Sequence, residues 1–370
     1  MHITLLEPFF AGSHAAWATE YQKYSQHQIN ILSLKGRHWK WRMYGGGIAL
    51  AAKFLEQKTP TDLILATDML NLNDFLAHTR HKTADIPTAM YFHENQLTYP
   101  WSATDNDVKL KRDRHYSFIN YTSALVADKI FFNSKYHLES YLGALPNFLR
   151  KFPDNKGLKN VKKIADKSEV LHLGMNLKHL DSHKKPKNEK LPLILWNHRW
   201  EYDKNPDDFF RALYILKEKG LRFEVALLGE SYQNKPACFE EAKTKLADEI
   251  VHYGFAESFE DYAHWLWKAD ILPVTSNQDF FGGSVVQAIY ANCYPILPKR
   301  LAYPEHLPKE IHKHHYFENF EQLVEMLTKA VENISLIREQ NFDNFVKKYD
   351  WTEIVGKYDA VFKQLGGYLH

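Results

Sequence analysis

The most chemically suggestive stretch of this chain runs Ser276-Asn277-Gln278-Asp279-Phe280-Phe281-Gly282-Gly283-Ser284, between an apolar run ending at Val274 and a helical pattern that continues to Ala291. An acid ahead of a Gly-Gly-Ser turn that opens a helix presents free backbone N–H groups and the positive end of a helix dipole, which together make an anion site. A diphosphate is its natural occupant. Phe281, Gly282, Gly283 and Ser284 would line it, Asp279 would accept hydrogen bonds from a sugar's hydroxyls, and Gln287, two turns into the helix, would hold a ribose. Taken alone, the segment reads equally well as a helix with a glycine-rich start.

Cations stand upstream of it. Arg199 and Lys204 lie in the loop Asn197-His198-Arg199-Trp200-Glu201-Tyr202-Asp203-Lys204, after a buried apolar run. Two fixed positive charges at the carboxyl end of a strand can neutralise a diphosphate leaving group without a metal. No DxD-like carboxylate pair stands at a strand end, so no metal is expected. An ion pair of Arg199 with Glu201 or Asp203 is the plainer alternative. In the first half, His93 follows the run Thr88–Phe92, where an imidazole would contact a transferring sugar or a leaving phosphate. Glu94, Asn95 and Gln96 supply donors and acceptors suited to a diol or a base edge. Gly12 and Ser13, at the first strand-to-helix turn, let the backbone approach a diphosphate. The stretch His312-Lys313-His314-His315 lacks a carboxylate or cysteine at ligand spacing and is expected on the surface.

Short apolar runs alternating with amphipathic segments must position these residues, and that alternation predicts parallel strands joined by helical crossovers. The first series is His2–Leu6, Ile29–Leu34, Leu63–Thr67, Thr88–Phe92, Lys129–Asn133 and Val170–Leu173; the second is Leu193–Trp196, Phe223–Leu228, Ile250–Tyr253, Ile271–Val274 and Pro295–Leu297. Asn205-Pro206-Asp207-Asp208 reads as an N-cap, a first-turn proline and acids at the start of a helix stopped by Gly220. Lys178–Lys190 is nearly devoid of apolar residues and reads as the interdomain linker. The expectation is an α/β protein with two doubly wound Rossmann-like domains facing across a cleft: an acceptor domain over 1–182, a donor domain over 183–345, and a terminal helix over 346–370 that packs back on the first. Periplasmic binding proteins, GT-B glycosyltransferases and some phosphorylases and epimerases share that plan, so it leaves function open.

At 370 residues, 45% hydrophobic and 25% charged, the chain has an ordinary globular composition, which excludes a disordered or fibrous protein. It has no apolar run long enough to span a bilayer and no basic region at its start, and Cys238 and Cys293 cannot form a disulfide framework. A cytoplasmic protein without a membrane partner is expected. The net charge of +2 hides a polarity: residues 1–185 carry 25 Lys and Arg against 17 Asp and Glu, or +8, leaving −6 on the remainder. Part of the excess lies in the run Arg150–Lys187. Another part is Lys35-Gly36-Arg37-His38-Trp39-Lys40-Trp41-Arg42, which interleaves cations with aromatics as single-stranded nucleic-acid platforms do.

An Arg and Lys five apart, followed by acid-x-Phe-Gly and a helix ending near a proline, resemble the donor domain of retaining, metal-independent GT-B glycosyltransferases. The segments Glu7-Pro8-Phe9-Phe10-Ala11-Gly12-Ser13-His14, Trp39-Lys40-Trp41-Arg42, Phe92-His93-Glu94-Asn95-Gln96-Leu97-Thr98-Tyr99-Pro100 and Phe132-Asn133-Ser134-Lys135-Tyr136-His137 resemble the tRNA-queuosine alpha-mannosyltransferases over essentially the whole length. The resemblance implies mannose transfer from GDP-mannose to the cyclopentene-diol of queuosine in tRNA-Asp, with retention of configuration. It implies no cofactor beyond the nucleotide-sugar. Catalytic roles would fall to His93, Arg199, Lys204 and Asp279, donor contacts to Gly12, Ser13 and the 281–287 segment, and acceptor contacts to Lys40, Trp41, Arg42, Glu94, Asn95 and Gln96. Three positions depart from the family pattern: Asp279 and Gln287 stand where it has glutamates, and Tyr294 stands where it has a glycine before Pro295. A lipid- or glycan-directed GT-B enzyme, or a non-catalytic tRNA or nucleotide-sugar binding protein, is the alternative.

Overall fold

The computed structural model describes residues 1–102, 105–110, 112, 114–187, 190–230 and 236–367. The chain divides into two compact units, one formed by Met1–Met175 with Trp351–His370 and the other by Asn176–Asp350.

The first unit holds six parallel strands: β1 (His2–Phe10), β2 (Gln28–Lys35), β3 (Leu63–Thr67), β4 (Thr88–Phe92), β5 (Lys129–Phe132) and β6 (Ser168–Val170), ordered β2-β1-β3-β4-β5-β6. Strands β3 and β4 are buried along their whole length, which explains their unbroken apolar sequence. The order reverses at β1, so the loops after β1 and β3 diverge and open a crevice at the strands' carboxyl ends. β1 runs past the expected Leu6 to Phe10, and its register against β2 shifts between Glu7 and Phe10. Pro8 lacks the N–H a regular ladder needs, so the strand bulges there. The helix Trp351–Gly366 seals one sheet face: Tyr358 Oη accepts from Trp17 Nε1 at 3.2 Å, and Asp359 accepts from Tyr21 and Ser25.

The second unit also has six parallel strands: β7 (Leu193–Asn197), β8 (Glu224–Leu228), β9 (Ile250–Gly254), β10 (Ile271–Pro273), β11 (Tyr294–Pro298) and β12 (Tyr316–Phe317), ordered β12-β11-β10-β7-β8-β9. Its switch point lies between β7 and β10, the strands that precede the Arg199–Lys204 loop and the Asp279–Gly283 turn. β12 was not legible because two residues carry no periodicity. The residues 177–183, read as the start of a linker, form a helical turn with Leu177 and Leu180 buried. Trp267 Nε1 donates to Leu180 O at 2.7 Å and Tyr290 Oη to Asp181 at 2.9 Å, tying this turn to the second unit. The division therefore falls at Met175 rather than after residue 182. Residues 346–350 likewise belong to the second unit, and Trp351 starts the helix that returns to the first.

Candidate active site

In the second unit the loop after β7 and the turn after β10 are joined by one buried cation. Lys204 Nζ donates to Gln278 O at 2.6 Å and lies 3.1 Å from Asp279 Oδ1 and 3.3 Å from Asp203 Oδ2, with 8% of its side chain exposed. Tyr303 Oη donates to the other oxygen of Asp279 at 2.5 Å. Burial alone would push the Asp279 carboxyl up. Lys204, His198 and Tyr303 together outweigh it and hold that carboxyl below the usual carboxylate range. Lys204 is thus a brace between the two loops, bonded to the Gln278 carbonyl and paired with Asp279. Arg199 differs: 46% of its side chain is exposed and it pairs with Glu201 at 3.3 Å, the plainer alternative above.

Gly282 caps the helix Gly283–Tyr290 in the left-handed region at φ 82°, and a Cβ there would sit 2.9 Å from the Tyr303 ring. The glycine therefore serves both the turn and the ring that orients Asp279. Gly282→Ala should cost about 1–3 kcal/mol in urea unfolding, from backbone strain and displacement of Tyr303; an unchanged midpoint would show that the turn relaxes without penalty. Phe281 does not present its ring to the anion site. The ring is buried edge-on against His306 and Tyr349, and His306 Nε2 bonds the Phe281 carbonyl at 2.7 Å, so Phe281 anchors the turn from behind. Gln287 is half-buried and its Oε1 accepts from Tyr262 Oη at 2.9 Å, which leaves its amide N–H groups as the part able to meet a ribose.

Among the described residues, buried polar atoms without a hydrogen-bond partner gather beside these loops: Asn197 Oδ1, His198 Nε2, Gln278 Nε2, Ser276 Oγ and both oxygens of Asp203. Unsatisfied buried polar groups are rare and mark places where a ligand completes the bonding. The sequence alone assigns these residues no role. His198 Nδ1 lies 3.3 Å from Ser284 Oγ, and burial pushes this imidazole down to about 4, so it is neutral at pH 7. Ser284 is held again through its carbonyl, which accepts from Asn197 Nδ2 at 2.7 Å. Arg300 braces the same region, bonding the carbonyls of Thr275 and Ser276. Asn205 caps its helix differently from expectation: it adopts φ 52° and bonds Asp208 rather than a backbone N–H.

The first unit builds a second constellation at its own switch point. The bulge at Pro8 leaves Phe9 N without a ladder partner, and the fully buried Glu7 carboxylate accepts from it at 2.9 Å. The other Glu7 oxygen lies 3.1 Å from His14 Nδ1. Burial works against a charged His14, yet Glu7 overcomes it and raises the imidazole to about 9. The His14 ring packs 4.3 Å from that of His93, which also meets the edge of Trp17 at 4.8 Å. Burial, with His14 and His137 adding, keeps His93 well below the usual histidine range, and its Nε2 is buried without a partner. Asp68 after β3 accepts from His93 N at 2.7 Å, and Asn133 Nδ2 bonds the His93 carbonyl at 2.9 Å, so the backbone of this residue is clamped from both sides. Glu7, His14 and Asp68 were not among the sequence candidates, although Glu7 and His14 bound the first motif.

The remaining candidates separate. Asn95 is fully buried and closes an Asx turn, its Oδ1 accepting from Leu97 N and Thr98 N, while Gln96 is buried and bonds Glu94. Asn95 therefore shapes the loop after His93 instead of meeting a ligand; Glu94 is half-buried. Gly12 and Ser13 are exposed at the start of the Gly12–Tyr24 helix, with Gly12 at φ 51°. Lys40 is neutralised: its ammonium lies 2.7 Å from Asp105 and 2.6 Å from Asp107 and over the rings of Trp39 and Trp101. Lys167, in the second basic run, bonds the carbonyls of Leu125 and Ala127, and Lys162 pairs with Asp166. Of the histidine-rich stretch, His315 is not on the surface; it is buried and bonds Pro295 O at 2.9 Å. Among the described residues, two groups bring three ligand-type atoms within 4.8 Å of one another, Glu7 with His14 and His93, and His183 with Glu260 and His264.

Residues 2–175 match the family model described as tRNA-queuosine alpha-mannosyltransferase N-terminal, and residues 178–348 match glycosyl transferases group 1. The chain is 33% identical to a tRNA-queuosine alpha-mannosyltransferase of Drosophila melanogaster, over 98% of this chain and 97% of that one. Among solved structures it is similar to sucrose-phosphate synthase from Thermosynechococcus elongatus, with a TM-score of 0.72 at 12% identity, covering 99% of both chains. It is also similar to Anabaena HepE in complex with UDP-glucose, with a TM-score of 0.65 at 14% identity, over 98% of this chain and 100% of that one. These likenesses show the GT-B fold that the sequence predicts. Among the described residues no helix is long and apolar enough to cross a membrane.

Proposed function

The chain belongs to the tRNA-queuosine alpha-mannosyltransferase family and is a glycosyltransferase, and we propose that it transfers mannose from GDP-mannose to the cyclopentene-diol of queuosine in tRNA-Asp, with retention of configuration. The observation that carries this reading is the end-to-end match to a relative of that name, over both units at once. The site geometry supports it. The helix N-terminus at Gly283 and the exposed Arg199 supply positive charge for a diphosphate, and Arg199 exchanges its Glu201 partner for phosphate oxygens. Asp279, ionised and aimed by Lys204 and Tyr303, accepts from a sugar hydroxyl, while Gln287 donates to the ribose through its amide. In the first unit His93, held neutral by burial, keeps a partnerless Nε2 suited to accept a hydrogen bond from a substrate hydroxyl. The bond between the anomeric carbon and the phosphate oxygen breaks, the queuosine hydroxyl bonds that carbon on the same face, and its proton passes to the departing phosphate.

Mass spectrometry of nucleosides from queuosine-containing tRNA, incubated with the protein and a panel of nucleotide-sugars, tests this reading. One hexose added to queuosine with GDP-mannose, undiminished by EDTA, is expected, because Arg199 and the helix N-terminus at Gly283 stabilise the leaving group. Transfer that requires an added divalent ion would shift attention to the Glu7, His14 and His93 group and unseat the metal-independent mechanism. Transfer from a UDP-sugar alone would unseat the donor. Efficient transfer to a lipid or glycan, with none to tRNA, would unseat the acceptor.

A further inference from the structure

The end of β2 and the helix Trp39–Glu56 carry positive charge that the first unit does not compensate. Among the described residues Lys35, Arg37, Arg42 and Lys53 have no carboxylate partner, in contrast to the doubly paired Lys40. Two of them are aimed by backbone carbonyls of β2: Arg42 Nε donates to Lys35 O at 3.2 Å and Lys53 Nζ to Ser33 O at 2.8 Å. With Lys35 they surround a cavity of about 450 Å³, walled by Phe10, Leu34 and Gly36. Gly36 is required there, since a Cβ would lie 2.1 Å from that of Ala11, and this close approach fixes the backbone that carries Lys35 and Arg37. Three like charges converging on one hollow are mutually repulsive, and an anion relieves the repulsion.

On an adjacent face of the same helix lies an aromatic surface. Trp41 is 64% exposed and its indole lies along Gly45, where a Cβ would sit 3.2 Å from the ring, so one face rests on the helix and the other is open to solvent. Tyr44, 39% exposed, is held by a 2.9 Å bond to His115 and an edge contact with Tyr116. A small anion would use the cations and leave the rings idle. An unpaired RNA strand uses both, phosphates in the hollow and a base on the indole.

We propose that the Lys35, Arg42 and Lys53 pocket binds a backbone phosphate of the RNA acceptor, and that Trp41 stacks on an unpaired base beside it. The assignment rests on the tRNA reading given above and adds the surface that holds the strand. Its test is filter binding of queuosine-containing tRNA across a salt series, with wild type, Lys35→Ala/Lys53→Ala, Trp41→Ala and, as a control in the second unit, Lys219→Ala. The double variant should lower the log–log salt slope by roughly 0.7–0.9, the loss of one phosphate contact. Trp41→Ala should weaken binding about tenfold at every salt concentration with the slope unchanged. Lys219→Ala should do neither, and GDP-mannose affinity should be the same in all four proteins. Steep wild-type binding with an unaltered slope in the double variant would overturn the pocket alone, as would loss of anionic-vesicle binding in that variant while tRNA binding persists. Absence of tRNA binding by the wild type would overturn the tRNA reading along with it.

Discussion

Lys204→Met should cost the second unit about 3–5 kcal/mol of stability, because it leaves the buried Asp203 and the half-buried Asp279 carboxylates without their cation. The loss should depend on pH in a definite direction. In the wild type Asp279 is held below the usual carboxylate range, so its contribution is present above about pH 4 and fades as pH falls through the folded-state value. Without Lys204 the burial that opposes ionisation dominates and the carboxyl rises above its unfolded value; the variant then gains stability as it is acidified. Urea unfolding at pH 8 and pH 5 should therefore show a smaller deficit at the lower pH, and adding Asp279→Asn should recover part of it. Arg199→Ala is the contrast. Its exposed pair with Glu201 contributes at most about 1 kcal/mol, so stability should hardly change while turnover falls and the donor KM rises. A deficit under 1 kcal/mol for Lys204→Met, unchanged with pH, would refute the brace.

The contrast marks the limit of what the sequence disclosed. Strands β3, β4, β7 and β8 were legible because burial on both faces demands continuous apolar runs, and their carboxyl ends had to carry the chemistry once two parallel sheets were inferred. Arg199 and Lys204 look alike in sequence, as two cations in one loop. What separates them is the distance from each to Asp279, a residue more than seventy positions away that only the β7–β10 adjacency brings close. Lys40 and Arg42 show the same limitation: Asp105 and Asp107, distant in sequence, cancel one and leave the other uncompensated. Asn95 and Phe281 were read as ligand contacts because they sit inside motifs, whereas motifs also preserve the residues that shape a turn or anchor it.

The Glu7–His14 pair was the least legible part of the site and has the second large expected effect. Glu7 is buried because a proline breaks the ladder one residue later and a backbone N–H must find an acceptor. Once there, the carboxylate meets His14 and raises it from 6.5 to about 9, against the pull of burial. A group whose folded value is raised contributes stability that is complete below its unfolded value and lost as pH rises through the folded one. The window here is pH 6.5 to about 9, and the stability lost across it is about 3 kcal/mol. Asp68 and Glu94 also face His14 and favour its charge, so the comparison must be with a variant and not with pH alone. Glu7→Gln retains the shape and removes the charge. In it burial should win, His14 should titrate below 6.5, and the alkaline loss of stability should largely vanish. Chemical denaturation of both proteins from pH 6 to 9.5, with the His14 ring followed by NMR, measures this directly. An alkaline decline of equal size in Glu7→Gln would mean that another group is responsible and that His14 is not held as a cation beside the neutral His93.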